Sequence, residues 1–133
     1  MMLHSRRALA LLLLAATACT TGPNPMLGSY TLNAVNDGAL PYVTQVGTAT
    51  HSLNGATLTV SDDGSWVESF TWTHADGAAS WTRTELDAGH WMKSRDRVMF
   101  DSVVMGSNGF TGTYVDGVLT LDDGAGRMHV FKR

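Results

Sequence analysis

From Gly28 to the C-terminus, apolar and polar side chains alternate instead of recurring every three or four positions. In SWVESFTWTH, residues 65–74, Trp66, Glu68, Phe70, Trp72 and His74 fall on one face, and Ser65, Val67, Ser69, Thr71 and Thr73 on the other. Successive side chains of a strand point to opposite faces, so a period of two predicts a strand whose aromatic face turns inward. In ASWTRTEL the same rule sets Trp81, Arg83 and Glu85 against Ser80, Thr82 and Thr84. Leu58 with Val60, Phe110 with Tyr114, and Leu119 with Leu121 are core pairs of the same spacing. No run of ten residues has a helical period, and the frequent Thr, Val, Trp, Tyr and Phe favour strands.

Asp-Gly and Asn-Gly pairs divide these runs: 37–38, 54–55, 63–64, 76–77, 108–109, 116–117 and 123–124. Such pairs reach the positive φ that tight hairpin turns require. Strands are therefore expected over 29–35, 43–53, 57–61, 65–74, 79–86, 90–95, 98–104, 110–115, 118–121 and 127–132. Short links favour antiparallel neighbours, because parallel pairs need long crossovers. The fold class expected is all-β, an antiparallel up-and-down meander of about 8–10 strands closing into a small barrel and so removing its own edges. A two-sheet sandwich is the rival.

The chain begins differently. Arg6 and Arg7 precede an apolar run, and Ala16-Thr17-Ala18 places small residues before Cys19. A charged start, a short apolar stretch and a small-residue exit make a secretory signal over residues 1–18. The run falls short of the roughly 20 apolar residues that a membrane-spanning helix needs. Residues 19–27, with Pro23 and Pro25, read as an extended tether ahead of a barrel domain at 28–133. Losing Arg6 and Arg7 takes nine basic residues to seven, against twelve acidic ones, for a net near −5 with histidines neutral. Without a basic stripe, neither nucleic acid nor anionic lipid headgroups are expected as partners.

LTVSDDGSW and LTLDDGAG, at 58–66 and 119–126, place paired aspartates before glycine and raise the question of calcium. An EF-hand loop needs alternating oxygen ligands and a distant glutamate. Asp62 and Asp63 are adjacent and Glu68 comes too early, so these are expected to be turns.

Several segments carry a resemblance. GSYTL at Gly28, DGSW, GHWMKSRDRVMF, TYVDGVLTLDDG and the terminal FKR together resemble small bacterial lipocalin-like, calycin-type lipoproteins along the whole mature chain. AATAC resembles the lipobox of bacterial lipoproteins, with Ala16 where leucine is commonest. The resemblance implies a lipidated Cys19 and attachment to a bacterial envelope membrane, facing the periplasm or exterior. Ordinary signal-peptidase cleavage at the same bond is the alternative. In lipocalins a Gly-x-Trp on the first strand packs under a basic residue from the barrel's end. Here Tyr30 stands in the tryptophan's place, with Lys132 or Arg133 as its partner. The resemblance further implies binding of a small apolar molecule.

Catalytic patterns fail. There is no Gly-x-Ser-x-Gly elbow, Ser107 reads as part of a turn, and GAGRMH puts His129 where a nucleotide loop needs glycine. Glu68 and Glu85 would have to converge as a carboxylate pair for glycosidase chemistry, and Arg83 is the more natural partner for one of them. His51, His74, His90 and His129 lack close zinc spacing; His74 is expected to begin a turn. The expectation is a non-enzymatic barrel without cofactor or metal, binding a small apolar or amphipathic ligand. Trp66, Phe70, Trp72, Trp81 and Trp91 are the expected walls and Glu68, Arg83 and Glu85 the polar anchors. A solid-core envelope interaction module without a ligand cavity is the alternative, and an enzyme using Glu68 and Glu85 the third reading.

Overall fold

A computed structural model describes residues 24–104 and 109–133. The signal, Cys19, the start of the tether and Ser107 lie outside the described residues. Ten strands follow in order: β1 (Gly28–Val35), β2 (Gly38–Ala39), β3 (Tyr42–Val46), β4 (Ala49–Val60), β5 (Ser65–Asp76), β6 (Ala79–Ser94), β7 (Arg97–Phe100), β8 (Phe110–Val115), β9 (Val118–Asp122) and β10 (Met128–Lys132).

From β3 to β10 each strand pairs antiparallel with the next, and β10 returns to β1. β1 then closes on β4, from Gly28 opposite Val60 to Thr31 opposite Thr57. The result is a closed antiparallel barrel of eight strands, β1 and β4–β10, with β2 and β3 flanking it. This is the expected meander, and its closure is compatible with a calycin-like fold.

Several boundaries differ from those expected. Residues 43–53 are two strands, because Gly47 at φ 64° folds the chain into the β3–β4 hairpin. Asn54-Gly55 makes no turn. It lies inside β4, where the register against β5 slips between Leu53 and Gly55 as a β-bulge,. The strands expected at 79–86 and 90–95 are one, since Asp87, Ala88 and Gly89 stay paired with Glu68, Val67 and Trp66. His74 lies within β5, not at a turn. At Asn54-Gly55, at His74 and over residues 87–89, local turn cues lost to ladder hydrogen bonds that a neighbouring strand continues to supply.

The aspartates of the paired-acid stretches bind their own turns. Asp63 Oδ1 accepts hydrogen bonds from the Ser65 amide at 2.8 Å and its hydroxyl at 2.6 Å. Asp122 Oδ1 accepts one from the Gly124 amide at 2.8 Å. A carboxylate that mimics a backbone acceptor two residues back is a common way of holding such a turn.

The lower half of the barrel is packed solid. Tyr30, Leu58, Val60, Trp66, Phe100, Leu119, Leu121 and Phe131 are buried there, and Trp66 meets Phe100 and Phe110 edge-on at 5.6 and 6.1 Å. Each large side chain so buried contributes about 1.5–3 kcal/mol. The packed part reaches back into the residues read as tether. Met26 is wholly buried and accepts a 2.6 Å hydrogen bond from the Tyr30 hydroxyl through its carbonyl. Tyr114 and Arg133 donate to the carbonyl of Pro25 at 2.8 and 2.6 Å. This end of the barrel is thereby closed.

The other end is open. β4, β5 and β6 run past the barrel there, and residues 79–86 of β6 pair with β5 alone among the described residues. The segment after β7 still follows β6 for a few residues, since the amides of Asp101 and Val103 donate to the carbonyls of His90 and Ala88, both at 2.9 Å.

Candidate functional site

At the open end a cavity of about 240 Å³ is lined by Phe70 and Trp72 of β5, Glu85 and Asp87 of β6, Gly109 and Phe110 at the start of β8, and Asp123, Arg127 and His129 around the β9–β10 turn. The strand period explains the first four. Phe70 opposes Glu85 and Glu68 opposes Asp87 across the β5–β6 ladder, and directly opposed residues share a face,. Three aromatic rings, Phe70, Trp72 and Phe110, make the apolar wall.

The polar side of the cavity is held in two fixed assemblies. Arg127 Nε meets Asp123 Oδ2 at 2.5 Å, and Asp123 Oδ1 accepts the amides of Ala125 and Arg127 at 2.8 and 3.2 Å. Although burial opposes it, these amides and the guanidinium hold the Asp123 carboxyl below its usual range. His129 is 3 % exposed, lies edge-on to Phe110 at 5.8 Å and stacks on Phe131 at 6.4 Å. Burial keeps its imidazole below the usual histidine range despite Asp123 Oδ2 at 3.4 Å from Nε2. Arg83 meets Glu85 at 2.8 Å at the outer lip.

Deeper in, Asp87 is 1 % exposed and Glu68 wholly buried. Asp87 Oδ1 accepts hydrogen bonds from the Ala88 amide at 2.8 Å and the Ser102 hydroxyl at 2.5 Å. Among the described residues its Oδ2 accepts none, nor does either carboxyl oxygen of Glu68. The Trp72 indole N–H and His129 Nδ1 are likewise buried without a partner among the described residues. Burial, and then the Asp87 charge, push the Glu68 carboxyl well above its usual range. Buried polar atoms are nearly always paired, so a group of unpaired ones beside a cavity is unusual.

The eight residues expected at the site share the strand faces that the alternation assigned to them, but they are spread along the whole barrel, and Trp81 and Arg83 are exposed past its rim. Phe70, Trp72 and Glu85 line the cavity. Glu68 is buried across the ladder from the lining residue Asp87. Trp66 and Trp91 sit at the closed end. The indole of Trp66 donates to the carbonyls of His90 and Asp101 at 3.1 and 2.9 Å, and that of Trp91 to Ser61 at 2.8 Å. Trp81 stands beyond the cavity, 53 % exposed, stacked on His74 at 5.6 Å. Arg83 reaches the site only through Glu85. Asp87 was missed, although it continues the alternation Trp81, Arg83, Glu85. Asp123, Arg127 and His129 were missed because their convergence depends on how β10 folds back along β9.

A second hollow, of about 480 Å³, runs along the exposed Met92 and Met99 beside the β6–β7 turn, and none of the buried unpaired atoms faces it. Among the described residues no three His, Cys, Asp or Glu side chains converge as metal ligands. No protein-family model and no curated protein matches the chain.

Proposed function

We propose that this protein is an exported, lipid-anchored lipocalin-like lipoprotein whose barrel binds a small amphipathic molecule at its open end. The observation that supports binding is the pairing of an aromatic wall with buried polar atoms that no group of the described residues satisfies. A ligand that presses an apolar body on Phe70, Trp72 and Phe110 and offers hydrogen bonds to the remaining atoms would remove that deficit. The cavity is below the usual range for drug-sized ligands, about 300–1,000 Å³, so the molecule is small. Binding without chemistry fits the carboxylates: Glu85 is engaged by Arg83, and Glu68 is sealed from solvent. Export and anchoring rest on the leader, the lipobox-like AATAC and the resemblance.

Native mass spectrometry of the protein, extracted from membranes in mild detergent, tests the reading. A reproducible added mass that disappears on denaturation is expected. A clean mass for the processed chain, unchanged by exposure to lipid and metabolite extracts, would refute it. In the same preparations a Cys19→Ser chain should lose the mass of the lipid and leave the membrane fraction.

A second reading is an envelope interaction module. It draws on the one-sided edge of β6 at 79–86, where Trp81 and Leu86 are exposed. Exposed strand edges pair readily with other chains. An apo barrel recovered with a bound protein would favour it.

A further inference from the structure

We infer that the ligand of the open-end cavity is a small organic cation, an ammonium bearing at least one N–H on an apolar body. The inference rests on the binding function proposed above and names the chemistry of its ligand.

It follows from which charges of the cavity are already answered. Glu85 is met by Arg83 at 2.8 Å and Asp123 by Arg127 at 2.5 Å. Arg127 is the only cation among the described lining residues, and its Nε is committed to Asp123. Asp87 has no cationic partner among the described residues. Its Oδ1 is satisfied by Ala88 and Ser102, while its buried Oδ2 accepts nothing from the described residues. Directly across the ladder the two oxygens of Glu68 also lack partners among the described residues. Burial, and then the Asp87 carboxylate, push the Glu68 carboxyl well above its usual range, and of the two acids it is Asp87 that lines the cavity. A buried carboxylate is ordinarily met by a cation or by several donors, and Asp87 has donors on one oxygen only.

A metal ion is a poor candidate for the missing partner, since no third ligand converges there among the described residues. An anion would place its charge among Glu85, Asp87 and Asp123, with Arg127, already paired to Asp123 through Nε, as the one guanidinium among the described lining residues. An ammonium group answers both halves of the cavity. Its N–H donates to Asp87 Oδ2, and its charge is attracted to the faces of Trp72, Phe70 and Phe110. The requirement for an N–H comes from Oδ2, which a quaternary ammonium would leave unpaired.

The test compares three probes of matched body on the unaltered protein: 2-phenylethylamine, 3-phenylpropanamide and 3-phenylpropionate. Binding is followed by tryptophan fluorescence and by the indole N–H resonance of Trp72, assigned with Trp72→Phe. The amine is expected to bind about tenfold or more tightly than the amide, the effect of one hydrogen bond to a charged group, and the carboxylate least. Asp87→Asn should bring the amine down to the level of the amide. Equal or tighter binding of the amide or carboxylate would overturn the cation while leaving a ligand-binding barrel intact. No binding of any probe at millimolar concentration would overturn both. Because the three-probe comparison uses the native chain, it decides the matter even if Asp87→Asn fails to fold.

Discussion

The guanidinium of Arg133 lies 5.0 Å over the ring of Tyr30 and donates to its hydroxyl at 3.1 Å. The same guanidinium holds the carbonyls of Pro25 and Leu27, so the last residue ties the first strand and the segment before it together. Of the two basic residues proposed as partners for Tyr30, Arg133 is the one in contact. Arg133→Ala should lower the unfolding free energy by about 1–2 kcal/mol, through lost hydrogen bonds and the cation–π contact. Arg133→Lys should recover only part, since a single ammonium cannot reproduce the planar fork. Urea titration measures both, and an unchanged midpoint for the alanine variant would show the tie to be dispensable.

Glu68 gives a pH signature. Its carboxyl titrates higher in the folded chain than in the unfolded one, so above the ordinary carboxylate range the unfolded state has released a proton that the folded state retains. Stability therefore falls as pH rises from that range toward the raised value. Glu68→Gln, which mimics the protonated group, should melt at a higher temperature than the parent at pH 7–8 and at the same temperature near pH 4. An equal difference at every pH would assign the effect to packing instead.

Asp123 works in the opposite sense. Its folded-state carboxyl is held low, so it contributes stability above its unfolded value, and this is lost as pH falls through the folded one. Asp123→Asn should cost about 1–2 kcal/mol at pH 7, because the Arg127 ion pair and the turn's amide bonds weaken together. The deficit should shrink on acidification. If chemical denaturation at pH 7 and pH 3 gave the same deficit, charge would not be its source.

Gly89 is required by a close approach of backbone. A methyl group at this position would lie 1.8 Å from the Asp101 carbonyl oxygen, the atom that accepts the Trp66 indole hydrogen bond. Gly89→Ala should cost about 3 kcal/mol or more, at the upper end for overpacking. Gly55→Ala, with nothing near the added methyl group, should stay within about 0.5 kcal/mol. Paired thermal melts check the contrast, and similar losses at both sites would sink it.

The order of residues in this chain determined the fold class, because a period of two, read with its Asx-Gly turns, leaves few architectures besides a meander. It also determined which faces turn inward, since the pleat alone decides that for Trp66, Glu68, Phe70, Trp72 and Glu85. Strand boundaries escaped it where a neighbour's hydrogen bonds overruled a local cue, as at Asn54-Gly55 and around Gly89. Tertiary structure alone decided how far along the barrel each inward residue stands. That coordinate depends on the stagger of the strands and on which turns meet at each end. It seals Trp66 in the closed half, carries Trp81 out past the rim, and brings Asp123, Arg127 and His129 from the far side of the barrel to face Phe70, Trp72 and Asp87 across one cavity.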